Sequence, residues 1–373
     1  MPRRVLYVAW APFFSGAERA LLLTLRSLDR ARVSPNLVVG TDGQLGRDVR
    51  ALGIPVSVVP FGVRDSRRPL GYAWQQTRLL ATMARVRPAL VHANDAPSFQ
   101  SAGPLARLLK IPAITHIRFP DSEAGYRWFL PARFARAIFV STSARLEAEA
   151  EAPALFTGSS VSIYDPVESP EPMPGADRAA ARASLELAPS DFAVGLIGQV
   201  SEVKGIWEFV EAAALIAARD VPMRFVVIGD DLQTDGAVRR AMTDRVAGLG
   251  LTDRFVFTGY RPDAARLAGA LDVVAAPSHV EPLGLSALEA MAAGVPVVAA
   301  AVGGLTESVV DGRTGLLVPA RDPQALAGAL IRLAQNPGER AAFGREARTR
   351  VREEFSLSRH AERLHALYDE VLG

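Results

Sequence analysis

The chain has 373 residues, of which 49% are hydrophobic and 22% charged, which is typical of a folded protein with two domains rather than a disordered chain. It contains no cysteine, which excludes disulfide bonds, thiolate catalysis and cysteine-based zinc sites, and its five histidines lack the paired spacing of metal ligands. We therefore expect neither a metal site nor a bound cofactor.

The net charge of +2 is unevenly distributed. Residues 1–170 carry 21 Lys and Arg against 13 Asp and Glu, a balance of +8, whereas residues 171–373 carry 21 against 27, a balance of −6. The basic first half suggests an anionic partner, either an acidic lipid surface or a phosphate-bearing acceptor. A general preference for surface arginine explains it equally well. We expect no nucleic-acid partner.

The start of the chain superficially resembles a secretion signal, because Arg3 and Arg4 precede an apolar run. Pro12 cuts that run short, and a first β-strand explains the run better. No stretch of about 18 uninterrupted apolar residues occurs, so the sequence predicts no membrane span. We therefore expect a cytoplasmic protein whose membrane contact, if any, is peripheral and at the inner face.

Short apolar strands alternate with helices in the first half. The predicted strands are 4–9, 37–39, 56–59, 90–91 and Ile114, and the later predicted helices are 45–52, 71–86 and 98–109. This alternation is typical of a parallel, doubly wound sheet, in which ligands bind at the carboxyl ends of strands. Gly16 lies in the turn after the first strand, where its backbone amide is a candidate ligand for a phosphate or sugar. Alternatively, the glycine only allows a tight turn between strand and helix.

Two histidines occupy the carboxyl ends of predicted strands. His92 follows the strand 90–91, and His116 follows Ile114, with Arg118 two residues further on. A lone histidine is more often a core residue than a ligand, but this position makes both histidines candidates for binding, with His92 and Arg118 as candidate acceptor ligands. The segment 126–136, which mixes aromatic residues with arginines, is interpreted as a helix packing on the sheet rather than a membrane-surface helix.

The segment 165–175 contains four prolines and no periodicity, as a linker does. We predict one Rossmann-like domain over 1–170, a second over 171–355, and a final helix over 356–373 that crosses back to the first domain.

The second domain restarts the pattern with a strand over 192–198 and a helix over 206–218. Lys204, between them, is one of only two lysines, so a surface charge alone does not explain a compact ammonium at this place. The pattern Gly-x-Gly-x-x-Gly is absent after both domain-opening strands, which argues against a nicotinamide enzyme.

The segment 277–298 predicts a strand end, a turn, a helix beginning near Leu283 and ending at Gly294, and another strand. The unpaired amides of Leu283, Gly284 and Leu285 lie at the positive end of that helix and suit a diphosphate. Glu281 precedes them and Glu289 follows them. A nucleotide sugar has the matching layout, with Glu281 accepting hydrogen bonds from the sugar and Glu289 from the ribose.

Taken as a whole string, 277–298 closely resembles the retaining glycosyltransferases of family 4, and the resemblance is dense from about 195 to 319. It implies the α/β GT-B fold, in which two Rossmann-like domains with parallel sheets face an interdomain cleft. The first domain is then the acceptor-binding domain and the second binds the nucleotide sugar. Polysaccharide, glycolipid or lipid-linked glycan assembly is the usual setting, so the implied partners are a nucleotide-diphosphate sugar donor and a sugar or lipid-linked acceptor.

The roles of the functional residues in the family can be assigned to the positions of this chain that match the family's motifs. They imply that Glu281 orients the sugar, that Lys204 neutralises the diphosphate, and that His116 assists near the donor sugar. They also imply front-face substitution without a metal. Gly16 and Tyr260 match donor-binding positions, although simple packing explains Tyr260 equally well.

Gln199 departs from the family, which usually has arginine there. The glutamine leaves open a non-catalytic or degenerate sugar-nucleotide-binding protein. An epimerase or phosphorylase of the same fold is a further alternative.

Overall fold

The computed structural model describes residues 1–10, 12–65 and 67–373. These residues form two compact units, Met1–Pro166 with Leu357–Gly373, and Val167–Ser356. The first segment of the first unit ends at Pro166, whereas the sequence predicted a boundary between 170 and 171. The chain passes from one unit to the other twice.

The first unit, over its described residues, contains a seven-stranded parallel sheet of order β3-β2-β1-β4-β5-β6-β7. Its strands are β1 (Arg3–Ala9), β2 (Val33–Val39), β3 (Val56–Val58), β4 (Leu90–Ala93), β5 (Ala113–Ile117), β6 (Arg136–Phe139) and β7 (Ser160–Ser162). Its helices in chain order are α1 (Gly16–Ser27), α2 (Gln44–Ala51), α3 (Pro69–Val86), α4 (Ala96–Leu108), α5 (Glu123–Phe129), α6 (Thr142–Glu151) and α7 (Pro153–Phe156). The central strands are almost wholly buried, as expected for a parallel sheet covered on both faces.

The last helix of the chain, α16 (Leu357–Leu372), belongs to this first unit. It packs on α1 and buries Leu364, Leu367 and Tyr368 in the same core cluster as Val5. The apolar side chains recur at helical spacing, so one face of the helix joins the core.

The single helix predicted over 126–136 is wrong. The helix α5 ends at Phe129, since Pro131 cannot continue it, and Tyr126, Leu130 and Phe134 are all buried in the core. This segment therefore offers no continuous amphipathic face to a lipid surface.

The second unit contains a six-stranded parallel sheet, counted over the described residues, of order β10-β9-β8-β11-β12-β13. Its strands are β8 (Ala193–Ile197), β9 (Arg224–Ile228), β10 (Phe255–Gly259), β11 (Val273–Ala276), β12 (Val297–Ala300) and β13 (Gly315–Val318). Its helices are α8 (Gly175–Ser184), α9 (Ile206–Ala217), α10 (Ala237–Gly248), α11 (Ala264–Ala268), α12 (Leu285–Ala292), α13 (Leu305–Ser308), α14 (Pro323–Gln335) and α15 (Pro337–Glu354). The prediction of an α/β protein with two Rossmann-like parallel-sheet domains is confirmed.

Candidate functional site

The turn between β11 and α12 carries the residues that the sequence singled out. The helix begins at Leu285, not near Leu283 as predicted, because Gly284 adopts a left-handed conformation with φ of 89° just before it. Within the described part of the chain, the amides of Leu283, Gly284 and Leu285 donate no hydrogen bond. They therefore remain free for a ligand at the positive end of the helix dipole.

A second stretch of backbone holds this turn in place. The Gly304 amide donates to the Glu281 carbonyl oxygen over 2.9 Å. A Cβ atom at Gly304 would lie 2.2 Å from the Pro282 carbonyl oxygen and 2.6 Å from the Leu283 Cα, so only glycine fits this close approach. The side chain of Glu281 is thus presented from a braced turn.

Glu281 is 9% exposed and forms an ion pair with Lys204, whose Nζ lies 2.5 Å from Glu281 Oε2. The Ser278 hydroxyl donates to the same oxygen over 3.3 Å. Lys204 ends a 3₁₀ turn, Glu202–Lys204, that leads into α9. The structure therefore brings together two predicted site residues that lie 77 positions apart in the sequence.

Both side chains line one pocket of the second unit, next to the start of α12. The other lining residues include Ala276, Pro277, Gly284, Ser286 and Leu305. A charged pair beside free amides gives this pocket both a cation and hydrogen-bond donors for an anionic ligand.

The remaining predicted donor residues of this unit lie on or near the same edge of its sheet. Gln199 is half-buried two residues after β8, Tyr260 is 56% exposed directly after β10, and Glu289 is half-buried within α12. All strands of this sheet are parallel, so the carboxyl ends of β8 and β10 face the same way as that of β11. Their contacts with a donor stay predictions.

Gly16 is the exposed first residue of α1. Ser15, which precedes it, caps this helix. Its amide and hydroxyl donate to the Glu18 carboxylate over 3.0 and 2.5 Å, and Glu18 is 4% exposed. The serine at this position therefore stabilises the start of the helix.

His92 and His116 lie side by side in the first unit, with ring centroids 4.8 Å apart, and both are buried. His92 Nδ1 lies 2.6 Å from the Tyr368 hydroxyl, which in turn is 2.6 Å from the Tyr7 hydroxyl. Burial, followed by the nearby charge of Arg118, lowers the pKa of His92 to about 3 and lowers the pKa of His116 well below its usual value. Both imidazoles are therefore neutral near pH 7.

Arg118 was proposed from the sequence as an acceptor ligand, but the structure places its guanidinium on partners of its own unit. It forms a buried ion pair with Asp165, donates from Nη2 to Asn94 Oδ1 over 3.1 Å, and lies 3.2 Å from His116 Nδ1. Sequence reasoning missed Asn94, Asp165 and Tyr368. Asp165 stands beside Pro166 at the linker, and Tyr368 lies in the helix predicted over 356–373, for which only a return to the first domain was expected.

Across residues 1–10, 12–65 and 67–373, the structure places no group of three or more His, Cys, Asp and Glu side chains where they could hold a metal ion. In the same ranges, none of the helices combines the length and the apolar character needed to cross a bilayer.

Two family models match the chain, one in each unit. The glycosyl transferase 4-like domain matches residues 15–153, and the glycosyl transferases group 1 model matches residues 177–350. The second match contains Lys204, Glu281 and Glu289.

Curated relatives match about half of the chain. A D-inositol 3-phosphate glycosyltransferase of Saccharomonospora viridis is 38% identical over 202 residues, covering 52% of this chain and 47% of the relative. A 2-deoxystreptamine glucosyltransferase of Streptomyces kanamyceticus is 38% identical over 182 residues, covering 48% of this chain and 46% of the relative. The chain thus spans about half the length of the curated relatives it matches.

Solved structures share the fold along the whole chain. Anabaena HepE, solved with UDP-glucose, superposes with a TM-score of 0.86 at 23% identity and covers 98% of this chain and 99% of its own. Sucrose-phosphate synthase of Thermosynechococcus elongatus gives a TM-score of 0.79 at 21% identity, with 99% of each chain covered.

Proposed function

Because the chain belongs to the family 4-type glycosyltransferases, with their two domains matched at 15–153 and 177–350, we propose that it transfers a sugar from a nucleotide diphosphate sugar to an acceptor hydroxyl. The observation that carries this proposal is the Lys204–Glu281 ion pair beside the free amides at the start of α12. An ammonium and helix amides suit a diphosphate, and a buried carboxylate suits the hydroxyl groups of a sugar.

The donor is held at both ends in this proposal. The diphosphate binds Lys204 and the amides of Leu283, Gly284 and Leu285, which supply the positive charge without a metal. Glu281 accepts hydrogen bonds from the sugar, and Glu289 from the ribose. The sugar then lies beside the buried carboxylate, which favours a transition state with positive charge on the ring.

The reaction proposed is substitution with retained configuration. The bond between the anomeric carbon and the diphosphate oxygen breaks as the acceptor oxygen forms its bond on the same face. The departing β-phosphate takes the acceptor's proton, so no separate general base is needed. Lys204 stabilises the negative charge that develops on the leaving group.

His116 and His92 contribute hydrogen bonds rather than proton transfer in this scheme, because burial and Arg118 lower their pKa values and make both imidazoles weak bases. We assign His116 to the donor sugar and His92 to the acceptor side. Gln199 sits two residues after β8, where related enzymes usually have an arginine. A sugar-nucleotide binder without turnover is therefore the second candidate function.

We propose a sugar or lipid-linked acceptor, and peripheral contact with an anionic membrane through the first unit. Leu70 and Trp74 lie one turn apart on α3 and are 86% and 53% exposed, and Trp128 is 46% exposed. Arginines cover both rings, with the Arg78 Cζ 4.9 Å from the Trp74 ring centroid and the Arg64 Cζ 6.0 Å from that of Trp128. Exposed tryptophan beside arginine suits the interface of an acidic bilayer.

Vesicle sedimentation tests the membrane contact. The chain should bind vesicles containing anionic lipid more strongly than neutral ones, and Leu70→Ala with Trp74→Ala should weaken that binding. Leu232→Ala, at a 70% exposed leucine of the second unit, is the matched control. Equal binding to both kinds of vesicle, or no effect of the double variant, would contradict the contact.

A donor screen followed by product analysis tests the main function. UDP-, GDP-, ADP- and CDP-sugars are compared by thermal shift, because a ligand of the folded state raises its melting temperature. The donor that binds is then incubated with inositol phosphate, aminocyclitol and lipid-linked acceptors, and products are identified by mass spectrometry. Transfer supports the enzyme, binding without transfer supports the second candidate, and no binding by any donor rejects both.

A further inference from the structure

His116 is held in the first unit by a partner that can only donate. It is 2% exposed on β5, and its Nδ1 lies 3.2 Å from the Arg118 Nη2. A guanidinium has five N–H donors, no acceptor, and does not lose its proton in proteins. The His116 Nδ1 must therefore be the acceptor, which places the single imidazole proton on Nε2.

Arg118 is itself held by three contacts. Its Nη1 forms a buried ion pair with Asp165, its Nε donates to the Asn94 carbonyl oxygen over 3.3 Å, and its Nη2 donates to Asn94 Oδ1 over 3.1 Å. The side chains of Arg118 and Asp165 are only 7% and 4% exposed. The planar guanidinium thus has one orientation, and it directs an N–H at His116.

The other nitrogen of His116 has no protein partner. The Nε2 atom is buried without a hydrogen bond within the described residues. An N–H in that state costs stability unless something accepts from it. The proposed sugar donor, with its many oxygens, is a suitable acceptor.

We propose that Arg118 is a positioning residue that, anchored by Asp165 and Asn94, holds His116 as the neutral Nε2–H tautomer. His116 then serves sugar transfer as a hydrogen-bond donor and not as an acid or base. The role in transfer rests on the proposed function, whereas the tautomer does not.

The surroundings keep His116 uncharged. Burial and the charge of Arg118 lower its pKa well below the usual value, and the charges of His92 on β4 and His360 on α16 act in the same direction when present. Two acidic side chains act on Arg118 here: Asp165, which already pairs with it, and the buried Asp95, whose pKa is raised by burial. His116 should therefore not titrate near neutral pH.

His360 provides an internal control with the opposite tautomer. Its Nδ1 lies 2.8 Å from the Tyr164 carbonyl oxygen, which can only accept, so the proton is on Nδ1. Its Nε2 lies 2.9 Å from the Thr24 hydroxyl, which donates to it. One spectrum of the intact chain should therefore show both neutral tautomers.

Long-range ¹H–¹⁵N NMR of histidine-labelled protein reads both tautomers directly. The chain has five histidines, so His116→Gln and His360→Gln assign the two signals. We expect His116 to be protonated at Nε2 only, without titration between about pH 6 and 8, where a free imidazole changes charge. A charged His116, or one protonated at Nδ1, would overturn the proposal.

Variants of Arg118 test whether this residue holds His116 in the Nε2–H tautomer. Arg118→Met should release His116 into a mixture of tautomers and lower kcat about tenfold, the loss expected for one hydrogen bond, with an unchanged KM for the donor. Arg118→Lys, which still donates, should restore the Nε2–H tautomer. A His116 spectrum unchanged in Arg118→Met would overturn the positioning role.

Failure of the proposed function has a separate signature. If the wild-type chain transfers no sugar, the tautomers of His116 and His360 are still read from the unreacted protein. If Arg118→Met does not fold, the wild-type spectrum and Arg118→Lys still decide the tautomer, because a Lys variant with His116 protonated at Nδ1 contradicts the proposal.

Discussion

Lys204 and Glu281 neutralise each other in the second unit, with Lys204 Nζ 2.5 Å from Glu281 Oε2. In the proposed function the donor's diphosphate replaces Glu281 as the partner of Lys204, and Glu281 turns to the sugar. The donor thus replaces one ion pair with contacts to both side chains, and the ammonium always keeps a counter-charge.

Lys204→Met should weaken donor binding about 10- to 100-fold, as expected for losing hydrogen bonds from a charged group. Isothermal titration calorimetry with the donor found in the screen measures this. The matched control is Lys110→Met, which removes the other lysine of the chain. Equal affinities of the Lys204→Met variant and the wild type would show that the ammonium does not meet the diphosphate.

Glu281→Ala and Glu289→Ala should have different kinetic effects. Loss of Glu281 removes the charge beside the reacting sugar and should lower kcat about 100- to 1,000-fold. Loss of Glu289 removes a ribose contact and should raise the KM for the donor about tenfold with little change in kcat. Steady-state kinetics separate the two, and Glu346→Ala, which breaks an exposed pair with Arg313, is the control. An unchanged kcat in Glu281→Ala would reject its proposed role.

Gln199→Arg tests the departure from the family pattern. An added cation facing the diphosphate should tighten donor binding, by about tenfold if it makes one charge-assisted hydrogen bond, and should raise turnover. Gln233→Arg, at an exposed position of the same unit, controls for the added charge. A large fall in turnover would instead show that glutamine suits its site and that this enzyme stabilises the leaving group differently.

Gly284→Ala should destabilise the second unit by about 1 to 3 kcal/mol. The backbone there has φ of 89°, and a Cβ atom would lie 2.7 Å from the Leu305 Cδ2. Gly328→Ala, within α14, meets no described atom within 4 Å and should stabilise by about 0.5 to 1 kcal/mol. Urea unfolding measures both changes, and a Gly284→Ala variant as stable as the wild type would contradict the observed start of α12.

Acid should destabilise the first unit because His92 and His116 are buried there in their uncharged form. Burial lowers the pKa of His92 to about 3, below the value near 6.5 expected in the unfolded chain. Between these values the unfolded chain binds the additional proton, so stability is lost as the pH falls from about 6.5 towards 3. The slope is at most about 1.4 kcal/mol per pH unit for each such histidine.

His92→Gln isolates this contribution. Unfolding free energies at pH 7 and pH 5 should differ less in the variant than in the wild type, since one buried imidazole no longer takes up a proton on unfolding. Parallel pH dependence of the two proteins would mean that His92 accepts a proton without unfolding.

The sequence predicted most of the fold because local patterns determine it. Apolar strands alternate with helices, and the helix predicted over 71–86 is observed as Pro69–Val86. The errors lie at helix ends, where a single residue sets the boundary. The left-handed conformation of Gly284 moves the start of α12 to Leu285, and Pro131 makes α5 end at Phe129.

The candidate site was predicted in its parts but not in its pairings. The turn before a predicted helix, the rarity of lysine and the resemblance to family 4 identified Glu281 and Lys204 separately, but their ion pair depends on how β8 and β11 pair in the sheet. The buried pair of Arg118 and Asp165 was missed for the same reason, since they lie 47 positions apart and the sequence suggested an acceptor for Arg118 and a linker for Asp165. Long-range contacts of this kind follow from the packed fold, not from local sequence.

The last helix gives the first unit an unusual order of assembly. Tyr368 hydrogen-bonds both Tyr7 and His92, so these two residues gain this partner only after the chain has been made as far as residue 368. Residues 1–166 leave the ribosome first. Their Tyr7 hydroxyl and His92 imidazole then lack the Tyr368 partner until the second unit has been translated. The second unit, whose residues 167–356 are continuous, is therefore complete in sequence before the first unit, which also needs residues 357–373.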